Sequence, residues 1–170
     1  VFDLAYAAQP GTLYALGITR DEETRTTLTR FSGSTDLAQR ERVFRRDGEY
    51  LDGDLVLHEG TGNIFTSVGR SGITLLSGSR LKTIGSGTHA VMDLKVSEAF
   101  VWSINRDGSA TLWNPENGEQ VGDLYFFEDG GWALITPEGR FYASSDQAQQ
   151  FVSTVTEDQT LEALRLRLRN

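Results

Sequence analysis

Short apolar runs, many alternating and β-branched, recur every eight to twelve residues through most of this 170-residue chain, and Gly, Asp, Asn or Ser bounds nearly all of them. A helix would place its apolar residues three and four apart. A period of two broken by frequent turn residues specifies antiparallel strands. On this pattern strands are predicted at 1–7, 11–19, 25–31, 40–45, 53–59, 63–69, 72–78, 80–85, 89–96, 99–105, 109–114, 119–127 and 131–137. The links EGTG, GRSG, RDG, NPENG and EDGG carry residues that tolerate the positive φ of hairpin turns.

The runs also fall into sets. Sliding the sequence by 36 residues lays Ser67 on Ser103, Arg70 on Arg106, Gly72 on Gly108 and Leu76 on Leu112, with Ser71 where Asp107 stands. A repeat near 40 residues with four strands in each is the mark of a propeller blade. The expected fold is all-β and propeller-like, one domain of about four blades of four antiparallel strands. The units span approximately 1–46, 50–85 and 88–127, with an incomplete or closing unit over 128–170. A small closed ring, part of a larger ring, and half of a ring completed by a second copy all fit that count. SSDQAQQFVSTV (144–155) reads as a capped helix, and the Leu/Arg alternation from Leu164 to Arg169 reads as an edge strand guarded by charge.

Composition narrows the function classes. With no Cys the chain has no disulfide, thiolate nucleophile or thiolate zinc site, which fits cytoplasm, slightly favoured, or periplasm. A net charge of -8 opposes broad nucleic-acid binding. The apolar runs are too short to cross a bilayer, which takes roughly 20 residues. The start at Val1 reads as a processed or excised boundary.

At HAVMDLKVSEAFVWSINRDGSATLWNPENGEQV the residues resemble a WD-repeat blade: Ser103, Asp107 and Trp113 copy that family's spacing of second-strand Ser, tight-turn Asp and third-strand Trp. The resemblance implies a structural hydrogen-bond network of these three with His89, while Asn114 replaces the Asp of the Trp-Asp pair. It covers roughly residues 50 to 127 and extends weakly to residue 1. EDGGWALITPEGRFYASSD (128–146) is similar to the segment closing the WD-repeat region of large bacterial proteins, some of which carry a caspase-like peptidase that this Cys-free chain lacks. The resemblance implies a non-catalytic recognition or scaffolding module.

No catalytic constellation stands out, and neither cofactor nor metal is expected. His58 reads as an ordinary strand-end residue, and His89 as a structural one. The pairs Asp52/Asp54 and Glu128/Asp129 read as solvated turns. DGEYLDGD (47–54) misses the alternate-residue ligand pattern of a calcium loop. GTGN and GSGT precede no helix that would bind phosphate. Trp102, Trp113, Trp132, Phe126 and Phe127 are expected to interlock neighbouring blades. The phrases ITRD, VGRS and INRD place Arg20, Arg70 and Arg106 in equivalent turns, a candidate patch for an acidic segment of a partner protein. A homodimer or further blades of the same polypeptide are the other expected partners. A propeller hydrolase with carboxylates in its central channel, and a purely structural fragment, are the competing readings.

Overall fold

A computed structural model describes residues 3–6, 12–20, 24–32, 39–47, 54–67, 72–85, 90–146 and 148–150. They form three antiparallel meanders. The first holds β1 (Asp3–Tyr6), β2 (Thr12–Arg20), β3 (Thr24–Ser32) and β4 (Gln39–Asp47). The second holds β5 (Leu55–His58), β6 (Asn63–Ser67), β7 (Ile73–Ser77) and β8 (Arg80–Ile84). The third begins in the same way with β9 (Val91–Val96), β10 (Val101–Asn105), β11 (Ala110–Trp113) and β12 (Gln120–Phe126). It then continues through β13 (Trp132–Ile135) and β14 (Phe141–Ala143), a strand absent from the sequence-based expectation. Beyond β14, Ser145 caps a helical turn, its Oγ accepting from the Ala148 N–H (3.2 Å) and its carbonyl from the Gln149 N–H (2.9 Å). The rest of the predicted 144–155 helix and the Leu/Arg alternation lie outside the described residues.

The strands alternate because each sheet buries side chains against its neighbour. The opening strands sit side by side, β1 against β5 and β5 against β9, as strands around a common axis do. Leu28 packs on Leu55, Ile64 and Leu76 between the first and second sheets. Phe65, Ile73, Leu75 and Ile84 pack on Leu94, Val101 and Trp113 between the second and third. Each such side chain withdrawn from water contributes about 1.5–3 kcal/mol. Face-to-face packing of successive four-stranded units, with first strands adjacent, makes the architecture all-β and propeller-like.

Register corrects the expected repeat length. Ile64 opposite Leu76 turns toward the first sheet, and Val101 opposite Trp113 turns toward the second, so these pairs play the same part. Position 64 to 101, and 76 to 113, are both steps of 37, not 36. Thr66 therefore takes the place of Ser103 and Leu75 that of Leu112, while Ser67 lies on the face opposite to its letter-match. In a sheet, one residue of slip exchanges the two faces. By the same offset Arg70 falls in line with Asp107 rather than Arg106.

Candidate functional site

The β10–β11 turn is densely bonded, by its backbone and by its own side chains. Its backbone closes through Asn105 N–H to Ser109 O (2.8 Å) and Gly108 N–H to Asn105 O (3.0 Å), with Gly108 at φ +84 where a side chain would be strained. Asp107 Oδ1 accepts from both the Ser109 N–H (3.0 Å) and its hydroxyl (2.7 Å). The Asn105 side-chain amide donates to Ser109 Oγ (3.0 Å) and Thr111 Oγ1 (3.1 Å), and Thr111 donates to Asp123 Oδ1 (2.7 Å). A directed row of polar groups thus runs from the turn across β11 to β12, with Asn105, Ser109, Thr111 and Asp123 all buried. Beside it the Trp113 indole N–H donates to Ser103 Oγ at 3.0 Å, again between buried groups. His89 lies outside the described residues.

At the tip of this turn Arg106 is exposed, and its backbone N–H donates to Ala90 O (2.9 Å), tying the turn to the lead-in of β9. Arg20 ends β2, opposite Thr24. Arg70 lies in the connection between β6 and β7, outside the described residues. Arg20 and Arg106 therefore fall where the second strand of a sheet gives way to the third.

A second set of polar groups joins the sheets. His58, expected as an ordinary strand-end residue, is buried. Its Nδ1 faces the Thr61 N–H (3.2 Å) and so carries the lone pair; Nε2–H then donates to Glu98 O (3.0 Å) in the third sheet. Gly60 sits against the imidazole, where an added Cβ would lie 3.1 Å from Cε1. The Asn63 amide donates to Pro115 O (2.8 Å) and Glu116 O (3.1 Å). At the other end of β5, Asp54 Oδ2 accepts from the Leu94 N–H (2.8 Å), so this carboxylate belongs to a sheet junction rather than a solvated turn. A hydrogen bond with Asp54 holds the Asp93 carboxyl below its ordinary value, partly opposed by burial and reinforced by Lys95 at 2.6 Å. Sequence reasoning missed these roles, although a small Gly two residues after His58, followed by Thr61 and Asn63, was the available signal.

The turn carboxylates and aromatics divide. Asp129 Oδ1 caps its own turn at the Gly131 N–H (2.8 Å). Trp113 is buried between sheets and Trp102 half-buried, whereas Trp132 and Phe126 are 40% and 60% exposed. A cleft of about 710 Å³ opens between the turns following β5 and β9, with Leu57 and Val96 in its wall and Glu59 and Glu98 beside them. Among the described residues no group of three or more His, Asp or Glu is placed to hold a metal ion. No helix there is long and apolar enough to cross a membrane.

No protein-family model matches the chain, and no curated protein matches it. Solved structures do. The C-terminal WD40 domain of Sif2 superposes with a TM-score of 0.51 at 12% identity, over 84% of this chain and 45% of that one. Apo AztD from Citrobacter koseri gives the same values: TM-score 0.51, 12% identity, 84% of this chain and 45% of its own. This chain therefore spans less than half the length of either, and the likeness is one of fold: a WD40-type, propeller-like arrangement of antiparallel sheets.

Proposed function

We propose that the chain is a non-catalytic protein-recognition module, a propeller-type scaffold that presents Arg106, with Arg20 and Arg70, to an acidic segment of another protein. The observation that carries this reading is the β10–β11 turn. Five side chains are spent on fixing its backbone and the strands beneath it, yet the residue at its tip is an exposed cation. A guanidinium displayed from a fixed backbone loses less freedom on binding, and its fork matches a carboxylate in two hydrogen bonds. Asp54, Asp107 and Asp123 accept hydrogen bonds from the protein's own framework, which suits a structural role for these carboxylates.

A labelled peptide of alternating Glu and Pro tests the reading, because its prolines prevent it from pairing as a strand while its carboxylates remain. Fluorescence anisotropy at low salt is expected to show binding that Arg70→Glu with Arg106→Glu weakens roughly tenfold, the loss of two exposed ion pairs plus the repulsion that replaces them. Unchanged affinity in the double variant, or equal affinity for a Lys-Pro peptide, would remove the proposal.

A further inference from the structure

β4 is an end strand: among the described residues it pairs with β3 alone. Its sequence QRERVFRRD holds four of the chain's 16 Lys and Arg against one Glu and one Asp, an excess of positive charge in a chain of net charge -8. Register decides where these arginines fall. Arg40 stands opposite Phe31, Arg42 opposite Thr29 and Arg45 opposite Thr27. Those three β3 positions alternate with Leu28, which packs against the second sheet, so they belong to the other face. Strict alternation would have put positions 40, 42 and 44 together. The register shift between Leu28 and Thr29 leaves Val43 as an extra residue, which keeps Phe44 opposite Leu28 and brings Arg45 into line instead. Three arginine positions thus share one face of an edge strand, and Arg42 is exposed.

We infer that β4 is the docking edge for an extended acidic polypeptide that adds to the first sheet as a further strand. Charge on an edge strand ordinarily prevents pairing with a like-charged or neutral strand. The same edge remains open to a chain bearing carboxylates at every second residue. The bulge takes up the extra residue between Arg42 and Arg45, so the three arginines keep the spacing of Phe31, Thr29 and Thr27, about 6.8 Å per two residues, and alternate carboxylates of the added strand stand across from them while the backbones form a ladder. A nucleic acid supplies the charge but no amide ladder, which is why a polypeptide is the better match. The site is distinct from the loop arginines and stands or falls separately from them.

The test uses the full chain and three labelled probes: a peptide alternating Glu and Val, an isomer with its Glu and Val in separate blocks, and oligo-dT. The alternating peptide is expected to bind best, and Arg40→Glu, Arg42→Glu and Arg45→Glu together to weaken it roughly tenfold or more, as three exposed ion pairs require. Replacing the three arginines by Lys is expected to retain most of the affinity. N-methylation of alternate backbone amides in the peptide is expected to abolish binding in one phase of the alternation. Equal binding of the block isomer or of oligo-dT would overturn the proposal in favour of a general polyanion patch. Binding that survives Arg42→Glu and the triple reversal, with an unaltered far-UV spectrum, would overturn it outright.

Discussion

The Trp113–Ser103 bond gives the most quantitative test of how the third sheet is built. Ser103→Ala strands the indole N–H of a residue only 5% exposed, a cost of about 1–3 kcal/mol for an unsatisfied buried donor. Trp113→Phe removes the donor, strands the Ser103 hydroxyl at 1% exposure and opens space against Leu75, Ile84 and Leu94, for about 2–4 kcal/mol. The double variant leaves no orphan group, so its cost should fall short of the sum by about 1–2 kcal/mol. Urea unfolding followed by far-UV circular dichroism measures each corner of the cycle without relying on the substituted indole, and total stability of about 5–15 kcal/mol leaves room to resolve the differences. Costs that add to within about 0.5 kcal/mol would show that the two groups do not act as a bonded pair.

Other substitutions probe the frame around it. At Gly85 the backbone has φ +64 and an added Cβ would lie 2.9 Å from Trp113 Cζ2, so Gly85→Ala should cost about 2–4 kcal/mol, whereas Gly130→Ala, at φ +80 with open space, should cost only about 1 kcal/mol; equal midpoints in urea would contradict the packing. Asn63→Ala removes the amide donor shared by Pro115 O and Glu116 O, leaving Pro115 O the Thr61 hydroxyl at 3.4 Å, and should destabilise by about 1 kcal/mol; no measurable change would mean that the amide contributes no junction. Because the folded-state pKa of Asp93 is depressed, its contribution is present above the unfolded carboxylate value and is lost as pH falls through the lower folded value. Asp93→Asn should flatten the acid limb of a stability–pH curve over that window; an unchanged limb would place the proton uptake elsewhere.

The strand pattern was legible because alternation and turn residues are local properties, as in NIFTS and VWSIN, which became β6 and β10. β14 escaped because FYA is three residues long and follows a Pro-Glu-Gly-Arg stretch; only pairing of Phe141 with Ile135 and Tyr142 with Leu134 makes it a strand. The repeat offset was misread by one because identical letters were matched. Residues at equivalent positions in two sheets share a face rather than a letter, which is why Thr66, not Ser67, corresponds to Ser103. His58, Asn63 and Asp54 find their acceptors or donors 40 and more residues away, so the Gly60, Thr61 and Asn63 that follow His58 mark a special turn without naming its partners. The line of arginines on β4 depends on the bulge at Val43, which alternation alone would have denied.

These long-range bonds also explain how loop positions become fixed. The junction between the second and third sheets has an apolar middle, Val56, Phe65 and Leu75 against Leu94, Val101 and Trp113, which by itself tolerates sliding because apolar contact has no direction. Its two ends are polar: Asp54 takes the Leu94 N–H at one, and His58 with Asn63 reaches Glu98, Pro115 and Glu116 at the other. A slide of even one residue would leave several buried donors and acceptors unpaired at both ends together, at about 1–3 kcal/mol each. The angle and register between the sheets are therefore set by directional bonds, and the β10–β11 turn that carries Arg106 is tied through Ala90 to the same strand that Asp54 holds. Loosening Asp54 should consequently weaken recognition at Arg106 without touching it: Asp54→Ala is expected to lower affinity for the Glu-Pro peptide by a fewfold while the chain stays folded, and unchanged affinity would show that the turn is positioned by its own bonds alone.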